Sequence, residues 1–191
     1  MPYKISSPTS LADALLVVQH LGIESKVIDI TQMVDGYAST YEIGLSPTRL
    51  GNICSRCRTV ILFDQSMEVG GIPLGTGNKS ERLLGYFTWH GDDAPPVNPL
   101  GDLFKTQVYE LAKHLGVPNQ IIEKPPSADL IQGQTDEGDY GIGYDEIDVI
   151  LHALVQGYTK QHLLELGLDE TKFDLVRSEE HTSELQSRQY L

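Results

Sequence analysis

The seven residues Gly75-Thr-Gly-Asn-Lys-Ser-Glu81 combine the backbone and side-chain types that phosphate chemistry needs. A short apolar run, Ile72 to Leu74, leads into a Gly-Thr-Gly turn, and Asn78 to Glu81 open a helix that continues through Leu83 and Leu84. The first N–H groups of a helix have no partner inside it, so strand, glycine turn and helix start together present donors to an anion. A Gly-x-Gly by itself occurs in many ordinary turns and identifies nothing. Three other groups invite chemistry. Cys54 and Cys57, in C-S-R-C, have the spacing of a redox pair or half a metal site, and Arg56 and Arg58 beside them favour thiolate. A closed zinc site needs two further ligands, and none of the six His stands at finger-like spacing. Two thiols one helical turn apart is the plainer reading. Asp136, Glu137 and Asp139 fail the spacing of an EF-hand calcium loop. His90, beside Trp89, has the side chain of a proton carrier and no partner in the sequence.

The wording around the turn is far more specific than the turn. Gly75 to Thr106 reads G-T-G-N-K-S-E-R-L-L-G-Y-F-T-W-H-G-D-D-A-P-P-V-N-P-L-G-D-L-F-K-T. With M-P-Y-K-I-S-S-P at the start, R-C-R at Arg56 to Arg58, P-S-A-D at Pro126 to Asp129, and G-Q-T-D-E through Y-D-E-I-D between Gly133 and Asp148, it resembles the ammonia-dependent NAD synthetase family. The resemblance covers most of Met1 to about Val176. It implies ATP-dependent amidation of nicotinic acid adenine dinucleotide to NAD by ammonia, through an adenylated intermediate. ATP is then a substrate and Mg2+ a cofactor, in a cytoplasmic enzyme that is a homodimer when complete.

Forming an amide from a carboxylate and ammonia requires activation of the carboxylate, because oxide is a very poor leaving group at neutral pH. Adenylation gives a mixed anhydride from which AMP leaves, so the protein must place two nucleotides and stabilise charge around pyrophosphate. No side chain is expected to act as nucleophile, acid or base. By the resemblance, Thr76 contacts ATP, Lys105 and Ser127 lie at its phosphates, and Glu81 is a magnesium ligand, a hard oxygen suited to that ion. Read without the family, Glu81 is a first-turn acid favoured by the helix dipole, Lys105 a solvated side chain, and Ser127 a turn residue. Arg56 matches an arginine on the deamido dinucleotide, a natural role for guanidinium. Two positions depart from the family: Trp89 stands where many members carry a dinucleotide-binding lysine, and Pro96 where they carry an aspartate. A tryptophan there can stack on a base or ring.

Positioning these residues falls to alternating short strands and helices. Ser10 is expected to cap a helix bearing Leu11, Leu15, Val18 and Leu21, stopped by Gly22; Lys26 to Ile30 reads as a strand, and Met33 to Pro47 as irregular. A second helix is expected over Thr48 to Met67, another from Asp102 to Leu115, and further helices from Asp145 and after Thr159. Ile72 to Leu74 reads as a short strand because Pro73 cannot donate to a ladder. Ile121 and Ile122 read as a strand end. Gly85 to Gly101 and Lys124 to Gly143 are long loops of the kind that carry function. The pattern predicts an α/β domain with a parallel sheet and helices on both faces, incomplete, of the Rossmann-like adenine-nucleotide-hydrolase type.

Composition bounds the rest. The 191 residues fit one domain, and 14 Lys and Arg against 27 Asp and Glu give a net charge of −13, which disfavours a nucleic-acid partner. No apolar run approaches bilayer length, so no membrane association is expected. Residues 1–177 are expected to be a partial NAD synthetase domain and 178–191 a non-native tail, since Arg177 to Ser187 resembles a translated sequencing adapter. The family's S-G-G-x-D-S pyrophosphate loop does not occur in the sequence, so the chain reads as an inactive fragment. The alternatives are a non-enzymatic nucleotide-binding module and another pyrophosphate-cleaving amidotransferase.

Overall fold

The computed structural model describes residues 1–40, 44–127 and 135–178. Its elements are α1 (Pro8–Leu21), α2 (Thr31–Ala38), α3 (Pro47–Val69), α4 (Lys79–Leu84), α5 (Lys105–His114), α6 (Asn119–Ile122), α7 (Asp136–Tyr140), α8 (Tyr144–Val155) and α9 (Lys160–Glu165). Residues 170–178 are also helical.

Both α1 and α3 begin with Ser-Pro and end at glycine. Ser7 and Ser46 accept from the N–H groups of Thr9 and Arg49, Pro8 and Pro47 take the first helical position, and Gly22 and Gly70 close the helices at φ 62° and 65°. Proline at the start needs no N–H, and a left-handed residue at the end is cheapest as glycine. These caps set the true starts at Pro8 and Pro47, ahead of the expected Ser10 and Thr48.

Two apolar clusters support the molecule. The first gathers Tyr3, Ile30, Val34 and Cys54, with Leu50 and Ile61 against them, and ties the N-terminal segment and α2 to α3. The second surrounds α8, whose Ile147, Ile150 and Leu151 are fully buried among Leu84 of α4, Phe104 before α5, Leu163 of α9, and Phe173. Each such side chain contributes roughly 1.5–3 kcal/mol on burial. The helix is therefore the post against which α4 and α5 are set.

The parallel sheet is not observed among the described residues. The one bridge is an isolated parallel pairing of Leu74 with Val97, with the Gly75 N–H donating to Val97 O at 2.8 Å. Lys26 to Ile30 forms no ladder; the Ile30 N–H goes to Pro2 O at 2.9 Å. An extended segment becomes a strand only when a neighbour accepts its alternate backbone groups, and neither segment has a described neighbour of that kind. Other expectations shift too. Met33 to Ala38, read as irregular, belongs to α2; Ile121 and Ile122, read as strand, close α6; α5 starts at Lys105, three residues after Asp102; and α8 starts at Tyr144, capped by Gly143. Residues 179–191, nearly all of the tail set apart above, lie outside the described residues, as do Asp129, Gly133 and Gln134 of the quoted motifs. Among the described residues no helix is long and apolar enough to cross a membrane.

Candidate active site

Four of the six residues singled out in the sequence line one cavity. It measures about 910 Å3 and is bounded by α3, the Gly75 turn, α4, α5, the segment from Ile121 to Ser127, and Asp136; Thr76, Glu81, Lys105 and Ser127 all face it. That volume lies in the upper range of small-molecule sites, ~300–1,000 Å3.

Local chemistry places Glu81. Asn78 caps α4, its Oδ1 accepting from the Glu81 N–H at 3.0 Å, while Glu81 Oε2 accepts from the Asn78 N–H at 3.0 Å, a reciprocal capping box. The other carboxylate oxygen, Oε1, accepts from Lys105 Nζ at 3.1 Å, and both side chains are only 18% exposed. Lys105 also sits over the Tyr144 ring, 5.4 Å from its centroid. An acid from one helix start and a cation from the next thus meet at the cavity wall.

The backbone cradle expected of the glycine turn is largely engaged elsewhere. The Gly75 N–H goes to Val97 O and the Lys79 N–H to Leu103 O, both at 2.8 Å, and the capping box takes Asn78 and Glu81. The turn is braced by the following loop, and Asn98 packs where a Cβ on Gly75 or Gly77 would come within 3.4 Å. Thr76, Glu81, Lys105 and Ser127 present side-chain polar groups to the cavity instead.

Asp136, in the sequence one of a cluster of acids, has a sharper place in the structure. It is 3% exposed and lines the cavity. Its Oδ2 accepts from the Tyr144 hydroxyl at 3.2 Å, and its Oδ1 has no hydrogen-bond partner among the described residues. Burial pushes its carboxyl above the ordinary range, against the pull of the Lys105 charge. Burial and neighbouring acids likewise push the hydroxyls of Tyr86 and Tyr144 far up. Tyr86 donates to Asp139 at 2.8 Å and its ring lies 5.2 Å from that of Tyr140. The signal that marks Asp136 is its position, first in a helix just behind the capping Thr135, with the aromatic pair Tyr140 and Tyr144 four and eight residues on.

Arg56 and Trp89 do not line the cavity; they meet each other, Arg56 Nε donating to Trp89 O at 3.1 Å. Their chain neighbours Ser55 and Thr88 do line it. Ser55 Oγ donates to Asp92 Oδ1 at 2.8 Å and accepts from the Asp92 N–H at 3.2 Å, and Thr88 donates to Asn52 Oδ1 at 2.9 Å. Helix α3 thereby holds the loop that carries Trp89. His90 adopts a left-handed backbone, φ 60°, with its ring edge-on to Trp89 at 5.3 Å. The C-S-R-C cysteines are free thiols in and beside the first apolar cluster. Burial raises both above their ordinary value, outweighing the Arg58 charge, so the thiolate expectation gives way to the plainer reading.

Comparison with known proteins gives the family of the chain. The chain is 43% identical over 178 residues to an NH(3)-dependent NAD(+) synthetase of Chlorobium phaeobacteroides (strain BS1), covering 93% of the chain and 64% of that relative. Among solved structures it is similar to an NMN synthetase from Francisella tularensis, with TM-score 0.83 and 31% identity over 95% of this chain and 71% of that one. It is also similar to the NH3-dependent NAD synthetase from Campylobacter jejuni subsp. jejuni in complex with nitrate ion, with TM-score 0.80 and 32% identity over 98% and 73% of the two chains. The chain thus spans 64% of the length of the Chlorobium relative. Residues 1–189 match the family model for NAD synthase, and the chain belongs to that family.

Proposed function

We propose that the protein carrying this chain amidates nicotinic acid adenine dinucleotide with ammonia, using ATP to adenylate the carboxylate. The observation that carries the reading is the meeting of Glu81 and Lys105 at 3.1 Å on a cavity wall that also bears Thr76 and Ser127. Lys105 supplies a fixed positive charge for a phosphate oxygen, and Thr76 and Ser127 supply hydroxyl donors to the same cavity. The attacking carboxylate oxygen bonds to the α-phosphorus as pyrophosphate leaves. Ammonia then adds to the acyl carbon, AMP departs, and a proton is lost to give the amide. Val108 and Ala112 add an apolar stretch of wall beside these polar groups.

Mg2+ fits the donors present. Glu81 and Asp136 bring two hard carboxylates to one cavity, and no group of three or more His, Cys, Asp or Glu is placed for a metal among the described residues. One or two carboxylates completed by phosphate oxygens and water is the usual setting for this ion; when bound, it neutralises charge on the pyrophosphate. Arg56 and Trp89 are assigned to the dinucleotide, Arg56 by charge and Trp89 by its ring. The parallel sheet, a homodimer and a cytoplasmic setting complete the proposal; the parallel sense of the Leu74–Val97 bridge supports the first, and the solubility of all three substrates suits the last.

A second reading concerns substrate size. The likeness to an NMN synthetase, with Trp89 where the family usually has lysine, favours testing nicotinic acid mononucleotide beside the dinucleotide. The full gene product with ATP, Mg2+ and ammonia is expected to form AMP in equal amount with NAD. Preference for the mononucleotide would change the substrate; AMP formation only with a different carboxylate or carbonyl acceptor would leave another amidotransferase; ATP binding with no AMP formed from any acceptor would leave a binding module.

A further inference from the structure

We propose that Asp148 is a positioning residue for the Glu81–Lys105 pair, acting through Ser80 and the first turn of α5. Asp148 is 5% exposed, on α8, and its partners are neutral. Its Oδ1 accepts from the Ser80 hydroxyl, and its Oδ2 from the Thr106 N–H at 2.8 Å. Ser80 is fully buried, and its Oγ in turn accepts from the Lys105 N–H at 2.9 Å. Ser80 precedes Glu81, and Thr106 follows Lys105. One carboxylate therefore grips the chain one residue from each member of the pair.

Helix α5 needs this help. Its N-cap is Phe104, whose side chain offers no oxygen to the free N–H groups that follow. Ser80 and Asp148 supply those acceptors from two other helices. The direction in which α5 starts, and with it the root of the Lys105 side chain, is consequently set by α4 and α8. A buried carboxylate that served packing alone would be better replaced by an apolar group; this one satisfies donors on the backbone that carries the site.

The test reads the geometry directly and needs no turnover. A water-soluble carbodiimide joins a carboxylate to a neighbouring amine as an amide, the water leaving as the urea of the reagent. In the parent chain it is expected to couple Glu81 to Lys105, and also Asp35 to Lys4, a pair at 2.7 Å in the other half of the molecule. Mass spectrometry of the digest gives both yields. Asp148→Asn and Ser80→Ala should each lower the Glu81–Lys105 yield about tenfold, since a small misplacement of reacting groups is costly, while the Asp35–Lys4 yield holds. Circular dichroism identifies the temperature at which each variant is folded, and two variants guard against loss of either. Unchanged Glu81–Lys105 coupling in a folded variant overturns the proposal, as does an equal fall at both pairs, which signals general loosening.

The use of the pair for ATP rests on the function proposed above, and is read separately. In the full gene product, Asp148→Asn should weaken ATP binding about tenfold in the parent background and less than about twofold once Lys105→Met is present, because a residue acting through Lys105 has nothing left to act on. Equal losses in both backgrounds overturn the coupling. If Lys105→Met itself leaves ATP affinity unchanged, the ATP reading fails while the crosslink still decides the positioning.

Discussion

Replacing Glu81 separates two jobs that its carboxylate performs at once. Oε2 closes the capping box on the Asn78 N–H and Oε1 holds Lys105. Glutamine is accepted at this box position, so Glu81→Gln keeps the cap and removes the charge, whereas Glu81→Ala removes both. Two unit charges at this separation interact by roughly 5 kcal/mol at an effective dielectric of ~20, most of it offset by desolvation and side-chain ordering. A charged hydrogen bond of this kind is worth about 1.5–3 kcal/mol net. Glutamine retains a neutral acceptor, which puts its loss at the lower end, about 1.5 kcal/mol, or roughly 3–6 °C in a domain of this size. Alanine adds about 1 kcal/mol for the cap. Thermal melts should therefore order parent, glutamine, alanine, with the two gaps separable. Because both partners are 18% exposed, the glutamine gap should persist at high salt. Coincident melts of the glutamine and alanine variants would refute the cap, and a glutamine variant melting with the parent would refute the pair. On the proposed function, Glu81→Gln in the full gene product should slow pyrophosphate release at saturating substrate; an unaltered rate would return Glu81 to a merely structural role.

Arg56→Ala should weaken the dinucleotide about tenfold to a hundredfold and leave ATP binding nearly intact, which separate titrations of the two nucleotides would read; equal losses would overturn the assignment. Gly91→Ala places a Cβ within 2.4 Å of Ser55 Oγ and 3.0 Å of Thr88, so it should cost about 1–3 kcal/mol on a denaturant melt, and a neutral result would mean the loop has room to move. Asp136 carries a carboxyl raised by burial; the folded state then binds its proton more tightly than the unfolded one, and stability is lost as pH rises from the ordinary carboxylate value through the raised one. Asp136→Asn should accordingly raise the melting temperature at pH 7, with the gain vanishing below the ordinary carboxylate range. A gain independent of pH would place its origin elsewhere.

Sequence alone located what local chemistry decides. The Gly22 stop of α1 and the Asn78 opening of α4 are legible in the sequence, whereas the Ser-Pro starts at Ser7 and Ser46 are not picked out against the nearby Ser10 and Thr48. The starts of α5 and α8 were misplaced because neither is capped by a side chain of its own: Phe104 and Gly143 hold those positions. Helix α2 was missed because Gly36 breaks its pattern, and Val34, its buried residue, acquires meaning only against α3. The sheet depends wholly on neighbours, which no local pattern supplies. At the site, motif resemblance singled out Thr76, Glu81, Lys105 and Ser127, which do share a cavity. It passed over Asp148, although the signal was present: Tyr144, Ile147, Asp148 and Leu151 follow the spacing of one helical face, and an acid on an otherwise apolar face asks what it is bonded to.

The borrowed cap of α5 also bears on the order of folding. A helix of ten residues is marginal alone, and this one has its first-turn acceptors on α4 and α8, from 25 to 42 residues away in the chain. Its first turn is therefore expected to gain its stability only when those two helices have docked. Amide hydrogen exchange should then find Lys105 and Thr106 protected together with the buried face of α8, and unprotected in any intermediate where α8 has not yet packed. On the proposed function a half-folded chain lacks the placed lysine, so polyphosphate binding by such species should be weak.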